Sequence, residues 1–174
     1  TRAQTLSLTP TPIPTFKLTE TPVPIQKMPD SGRVSLMAVG DIMLGRTIGD
    51  LITTSGPEAP FIDTASTLSS ADITVGNLEC PISDRGHAEE KTYAFRAPLA
   101  AAESLSFAGF DVVSLANNHT LDYGPLALED TLNLLANQQI TPVGAGMNAA
   151  QAYNPVILEV NGLQIAFLAY ADVP

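Results

Sequence analysis

Short apolar runs alternate with helix-forming stretches along most of this chain, and that alternation constrains the fold more than any other feature. The run Val34 to Gly40 (VSLMAVG) is apolar almost throughout and closes on glycine. Asp72 to Gly76, Phe110 to Leu115 and Ile140 to Gly144 repeat the pattern. A strand without alternation reads as buried on both faces, as in parallel sheets with helical crossovers. The stretches between fit helices: Arg46 to Thr54, Phe61 to Ser70, Pro98 to Ala108 with proline in its first turn, and the amphipathic Pro125 to Gln138. Residues 79–96 read as a charged loop. Two last runs, Pro155 to Val160 and Leu163 to Tyr170, flank Asn161-Gly162, the strongest short hairpin signal. The expectation is an α/β domain whose sheet is covered on both faces and followed by an antiparallel hairpin. The sequence stops at Asp172-Val173-Pro174, directly after a strand, which predicts a domain truncated at its C-terminus.

The first part of the chain is different in kind. Residues 1–30 hold six of the 14 prolines and seven threonines, with almost balanced charge. Each proline fixes its own φ and pushes the preceding residue to extended geometry, giving a semi-rigid spacer. We expect residues 1–32 to be a disordered linker or tether and residues 33–174 to carry the fold. The sequence begins at Thr1 and has no signal peptide, which predicts a processed or trimmed N-terminus whose membrane anchor lay upstream.

Charge excludes several classes. Residues 31–174 carry five basic and sixteen acidic side chains, so nearly all of the net charge of -10 lies there. Phosphate contacts need clustered Lys and Arg, so nucleic acid is not an expected partner. An acidic surface also disfavours docking on anionic lipid. The single cysteine, Cys80, makes neither an internal disulfide nor a multi-cysteine zinc site. Gly144-Ala-Gly146 lacks the third glycine of a dinucleotide fingerprint.

Three polar clusters follow three of the apolar runs. They are Gly40-Asp41-Ile42-Met43-Leu44-Gly45-Arg46, Gly76-Asn77-Leu78-Glu79-Cys80-Pro81 and Ala116-Asn117-Asn118-His119-Thr120-Leu121-Asp122-Tyr123-Gly124. Ligands in open α/β sheets gather beyond the carboxyl ends of the strands, which places Asp41, Glu79, Asn118 and His119 to converge. Their oxygen and nitrogen donors suit Mg, Mn, Zn or Fe. Taken singly, each has a structural alternative: Asp41 as a turn former or helix cap, Glu79 as a solvated loop carboxylate, Asn117-Asn118 as a helix-entry turn. His87 reads as a solvated loop residue.

Gly40-Asp41-x-Met43-x-Gly45-Arg46, Asn77-Leu78-Glu79-x-Pro81, Phe95-Arg96-Ala97-Pro98 and Ser114-Leu115-Ala116-Asn117-Asn118-His119-x-x-Asp122-x-Gly124 together resemble the poly-gamma-glutamate capsule synthesis protein family, the CapA family. Gly144-Ala145-Gly146 with Asn148, Ala152 and Pro155 is similar to that family's next block. The resemblance implies a metallophosphatase-like four-layer α/β/β/α sandwich and a role in making, exporting or processing poly-gamma-glutamate or a related anionic surface polymer. It implies an extracytoplasmic protein, tethered to membrane or wall, working with the capsule synthesis machinery. It further implies a divalent metal ion held by Asp41, Glu79 and Asn118, with His119 catalytic and Asp122 orienting it. Arg46, Asn77, Arg96 and Asn117 would contact substrate, although both arginines are equally readable as surface ion-pair partners. Met43 stands where metallophosphatases carry a ligating histidine, and a thioether suits a hard cation poorly, so a single metal position is expected. Two activities stay open: a metal-dependent hydrolase, to which this stretch supplies only part of the site, or a non-catalytic accessory protein that binds polymer.

Overall fold

A computed structural model of the chain describes residues 32–172, so the expected tether at 1–32 lies, but for Gly32, outside the described residues. Four strands, β1 (Leu36–Ile42), β2 (Ile73–Leu78), β3 (Val112–Ser114) and β4 (Thr141–Val143), form one parallel sheet in sequence order. Between them lie α1 (Arg46–Ser55), α2 (Ala65–Leu68), α3 (Ala101–Ala108) and α4 (Gly124–Asn137). After β4 come α5 (Ala149–Tyr153) and an antiparallel pair, β5 (Val156–Val160) and β6 (Leu163–Phe167). The chain is therefore a mixed α/β protein with a parallel sheet. Its hairpin turns where expected, with Asn161 at φ 52° and Gly162 at φ 77°, the paired positive φ of a type I′ turn.

The core forms where the strand ends meet the helices. Ile42, Leu44, Leu78, Val113 and Leu115 pack with Ile52, Leu105, Leu128 and Leu135. Along α3, Ala101, Ala102, Leu105 and Ala108 are all buried, a helical stripe that packs into this core. Burying a leucine such as Leu105 or Leu135 completely contributes about 2 kcal/mol.

Two expectations need correction. The first strand is apolar but not buried: Leu36 is 49% exposed and Val39 38%. β1 is an edge strand with a neighbour on one side only, whereas the inner strand β3 is buried at both Val112 and Val113. Coverage on both faces therefore fails at β1. The helix expected over Phe61 to Ser70 shrinks to one turn, Ala65–Leu68. Its Asp, Thr and Ser residues compete for backbone hydrogen bonds, as where Thr64 and Ser70 hydroxyls donate to the carbonyls of Phe61 and Thr67. The short α5 was not anticipated; its start is marked by Asn148, whose side chain accepts from the Gln151 amide at 3.0 Å.

The charged loop is held at both ends. An isolated parallel bridge joins Ile82 to Ala97, and the Thr131 hydroxyl accepts from the Ile82 amide at 2.8 Å. The Arg85 guanidinium forks onto Asp130 and also reaches Glu129 at 3.0 Å. Two glycines permit the close approach. A Cβ on Gly45 would lie 2.8 Å from the Arg96 carbonyl oxygen. On Gly86, whose φ is +82°, it would lie 2.0 Å from that of Tyr123.

Candidate active site

The carboxyl ends of β1, β2 and β3 bring the three polar clusters together. A register shift between Ala38 and Asp41 bends β1 before its end and sets Asp41 opposite Asn77. The Asn77 amide then donates to Asp41 Oδ1 at 2.8 Å and to Glu79 Oε2 at 2.5 Å. Asn117, just past β3, donates to Asn77 Oδ1 at 3.0 Å and to the Leu78 carbonyl at 2.9 Å. Its own Oδ1 accepts from the His119 amide at 2.9 Å. Two asparagine side chains thus join all three strand ends.

His119 stands at the other side of this group. Its Nδ1 is 2.8 Å from Asp122 Oδ2, and its Nε2 is 3.8 Å from Glu79 Oε1. Asp122 is fully buried, and Oδ2 also accepts from the Phe95 amide at 2.6 Å. The Lys91 ammonium pairs with Oδ1 of Asp122 and donates to the Asn118 carbonyl at 2.8 Å. A carboxylate on Nδ1 fixes the tautomer with its proton there, so Nε2 is left as the working nitrogen, facing Glu79. The Phe95 ring packs on the imidazole with centroids 4.4 Å apart.

The expected residues fall into two groups. Asp41, Asn77, Glu79, Asn117, His119 and Asp122 form one connected network. Asn118 is exposed, and of its polar groups only the carbonyl enters the hydrogen bonds of the described residues. Arg46 and Arg96 lie beside the network, lining a cleft of about 350 Å³ with Ser83, Asp84, Asp50 and Thr53. His87 is exposed, as a loop residue would be. Met43 is partly buried and packs against the hydrophobic core. Cys80, next to Glu79, is fully buried, and that burial pushes its thiol up to about 11, which removes it as a nucleophile at neutral pH. Sequence reasoning missed Lys91, since a lysine in a charged loop carries no mark of a buried partner 31 positions ahead.

The fit of this network to a metal ion is partial. Asp41 and Glu79 both reach one amide nitrogen, so a cation in its place would meet two carboxylates, a donor set suited to a hard divalent ion. Among the described residues no group of three or more His, Cys, Asp and Glu side chains is placed to hold a metal ion. The arrangement is therefore compatible with one oxygen-rich cation position and gives no support to a dinuclear one.

Comparison with known proteins agrees with the resemblance of the sequence blocks. The family described as bacterial capsule synthesis protein PGA_cap matches residues 35–174. The capsule biosynthesis protein CapA of Bacillus anthracis is 31% identical over 147 residues, covering 82% of this chain and 36% of that protein. The PGA biosynthesis protein CapA of Bacillus subtilis (strain 168) is 31% identical over 143 residues, 80% of this chain and 38% of that one. A probable polyglutamine synthesis accessory protein of Mycobacterium tuberculosis is 33% identical over 93 residues, 53% of this chain and 24% of that one. The chain thus spans little more than a third of the length of the two CapA proteins it matches.

Proposed function

The chain belongs to the bacterial capsule synthesis protein family, and on that premise we propose that its network of Asp41, Asn77, Glu79, Asn117, His119 and Asp122 processes an anionic surface polymer of the poly-gamma-glutamate type by cation-dependent hydrolysis. The observation that carries this reading is the His119 imidazole, oriented through Nδ1 by a buried carboxylate and facing a second carboxylate through Nε2. Asp41 and Glu79, with Asn118 as the third expected ligand, would hold one divalent cation, of Mn, Mg, Zn or Fe. Bound there, it would polarise the amide or phosphoester to be cleaved.

The residues of the chain do the rest. His119 Nε2 takes a proton from the water that attacks the carbonyl or phosphoryl centre and passes it to the leaving group as its bond breaks, and Asp122 stabilises the imidazolium while that proton is held. Asn77 and Asn117, whose amide N–H groups are already donated within the network, hold Asp41, Glu79 and the His119 backbone in position. Burial of Asp122 and cover by Phe95 keep water off the Nδ1 side of the ring, so proton exchange is confined to Nε2. The accompanying fold is the four-layer sandwich, with β1–β4 in one β layer and β5–β6 in the other. The exposed apolar side chains of Leu36, Val39 and Ile157 support it, since such surface is what a second layer covers. Residues 1–32 would tether residues 33–174 outside the cytoplasm, a reading supported by their Thr/Pro composition. No helix among the described residues is long and apolar enough to cross a membrane.

A second reading, a non-catalytic accessory protein that binds polymer for the synthesis machinery, is favoured by one observation: the described residues offer fewer than three grouped acidic or histidine ligands. Incubating poly-gamma-glutamate with the pure protein and Mn2+ and following polymer length by gel filtration separates the two. Shortening that is lost in His119→Ala supports the hydrolase; retained polymer binding without shortening supports the accessory role.

A further inference from the structure

The two arginines of the cleft differ from the cations that meet carboxylates among the described residues. Arg85 and Lys91 both meet carboxylates. Among the described residues neither Arg46 nor Arg96 makes an ion pair, although Asp50 and Asp84 line the same cleft. Each guanidinium instead lies over an aromatic ring, Arg46 at 5.7 Å from the Phe95 centroid and Arg96 at 4.2 Å from that of Tyr123. Stacking holds a guanidinium by its face and leaves its edge N–H groups available for a planar anion. Arg96 spends one of these on the Arg85 carbonyl at 3.3 Å. Arg46 adds a backbone sign: its φ of 53° is in the left-handed region, uncommon for a non-glycine residue and met where surrounding structure imposes it. The chain leaves Gly45 in this conformation and carries the guanidinium over Phe95.

The same Phe95 ring packs on His119. Arg46 is therefore one ring away from the imidazole, with Tyr93 stacked beyond Phe95 at 6.3 Å and 63% exposed. We propose that Arg46 and Arg96 form a carboxylate subsite beside the reacting position, and that the exposed Tyr93 ring takes the methylenes between successive carboxylates. The class of ligand is a polyamide that bears a carboxylate on every repeat. The subsite makes the protein select the charged polymer over its neutral amide. The identity of the anion rests on the polymer reading above; the paired arginines do not.

Binding of a γ-linked tri-glutamate to the 174-residue chain, measured by titration calorimetry without metal, tests this directly. The γ-linked tri-glutamine serves as the neutral control. Arg46→Gln and Arg96→Gln should each weaken tri-glutamate binding by about tenfold, the loss of a charge-assisted hydrogen bond, with the tri-glutamine bound weakly by all forms. Arg96→Lys keeps the charge and loses the fork, so it should recover only part of the affinity. Arg46→Gly relaxes the backbone and removes the guanidinium, so it should bind as weakly as Arg46→Gln while melting no lower than wild type. Equal affinity in wild type and arginine variants, equal affinity for both peptides, or no tri-glutamate binding by wild type overturns the subsite. Wild-type protein that binds tri-glutamate through both arginines but takes up no Mn2+ would leave the subsite standing and end the cation-dependent reading.

Discussion

Nδ1 of His119 stands 2.8 Å from Oδ2 of Asp122, and the carboxylate has no exposed surface. The two residues lie three apart in one turn after β3, so the pairing is local in the chain. A distant contact completes it, because the Phe95 amide and the Lys91 ammonium both come from the charged loop that precedes α3. The orientation of the imidazole therefore depends on that loop staying in place.

Asp122→Ala removes the acceptor shared by the Phe95 amide and His119 Nδ1 and leaves the Lys91 ammonium without its carboxylate. The Phe95 amide loses its acceptor while the exposed Lys91 turns to water, so the expected cost is about 2 kcal/mol, read as a lower midpoint in urea. His119→Ala leaves the Lys91 and Phe95 contacts intact and should cost clearly less in the same measurement.

Gly86→Ala should also loosen the loop. The new methyl meets the Tyr123 carbonyl at 2.0 Å in a backbone with φ +82°. The expected loss is about 2 kcal/mol from the left-handed conformation alone. Faster amide exchange at Glu89 and Phe95 than in wild type would locate it there.

Cys80 should resist thiol reagents. Its thiol is pushed up to about 11 by burial, so at pH 8 the folded protein should react with a disulfide reagent far more slowly than the urea-unfolded chain. Labelling that matches the unfolded rate would contradict the packing around Glu79 and Pro81.

Acid should weaken the attachment of the loop to α4. Hydrogen bonds from Arg85 first, and then from Ser83, hold the Asp130 carboxyl below its usual range. A carboxyl depressed in the folded state contributes stability above its unfolded value near 4 and loses it as pH falls through the folded value. Unfolding midpoints should drop below pH 4, and Arg85→Ala should flatten that part of the profile.

Much of this architecture was legible in the sequence because it is local. Alternating apolar runs and helical stretches gave the parallel sheet, Asn161-Gly162 gave the hairpin, and polar residues after three strands gave the clusters that meet at Asn77 and Asn117. What escaped depends on neighbours far along the chain. Apolar content could not tell that β1 would be an edge strand, since edge position is a property of strand order. Lys91 finds its buried partner only when the loop folds back. The arginines could be read as ion-pair partners until the structure placed them over Phe95 and Tyr123 instead.

Asp41 and Glu79, joined through Asn77, would form one cation position next to His119. Titration of the 174-residue chain with Mn2+, followed by calorimetry and by the loss of the free-ion paramagnetic signal, tests it most directly. We predict one ion bound per chain, with binding lost in Asp41→Ala and in Glu79→Ala but kept in Arg46→Gln. No Mn2+ uptake by the wild-type chain, or uptake that survives both carboxylate substitutions, would contradict the account.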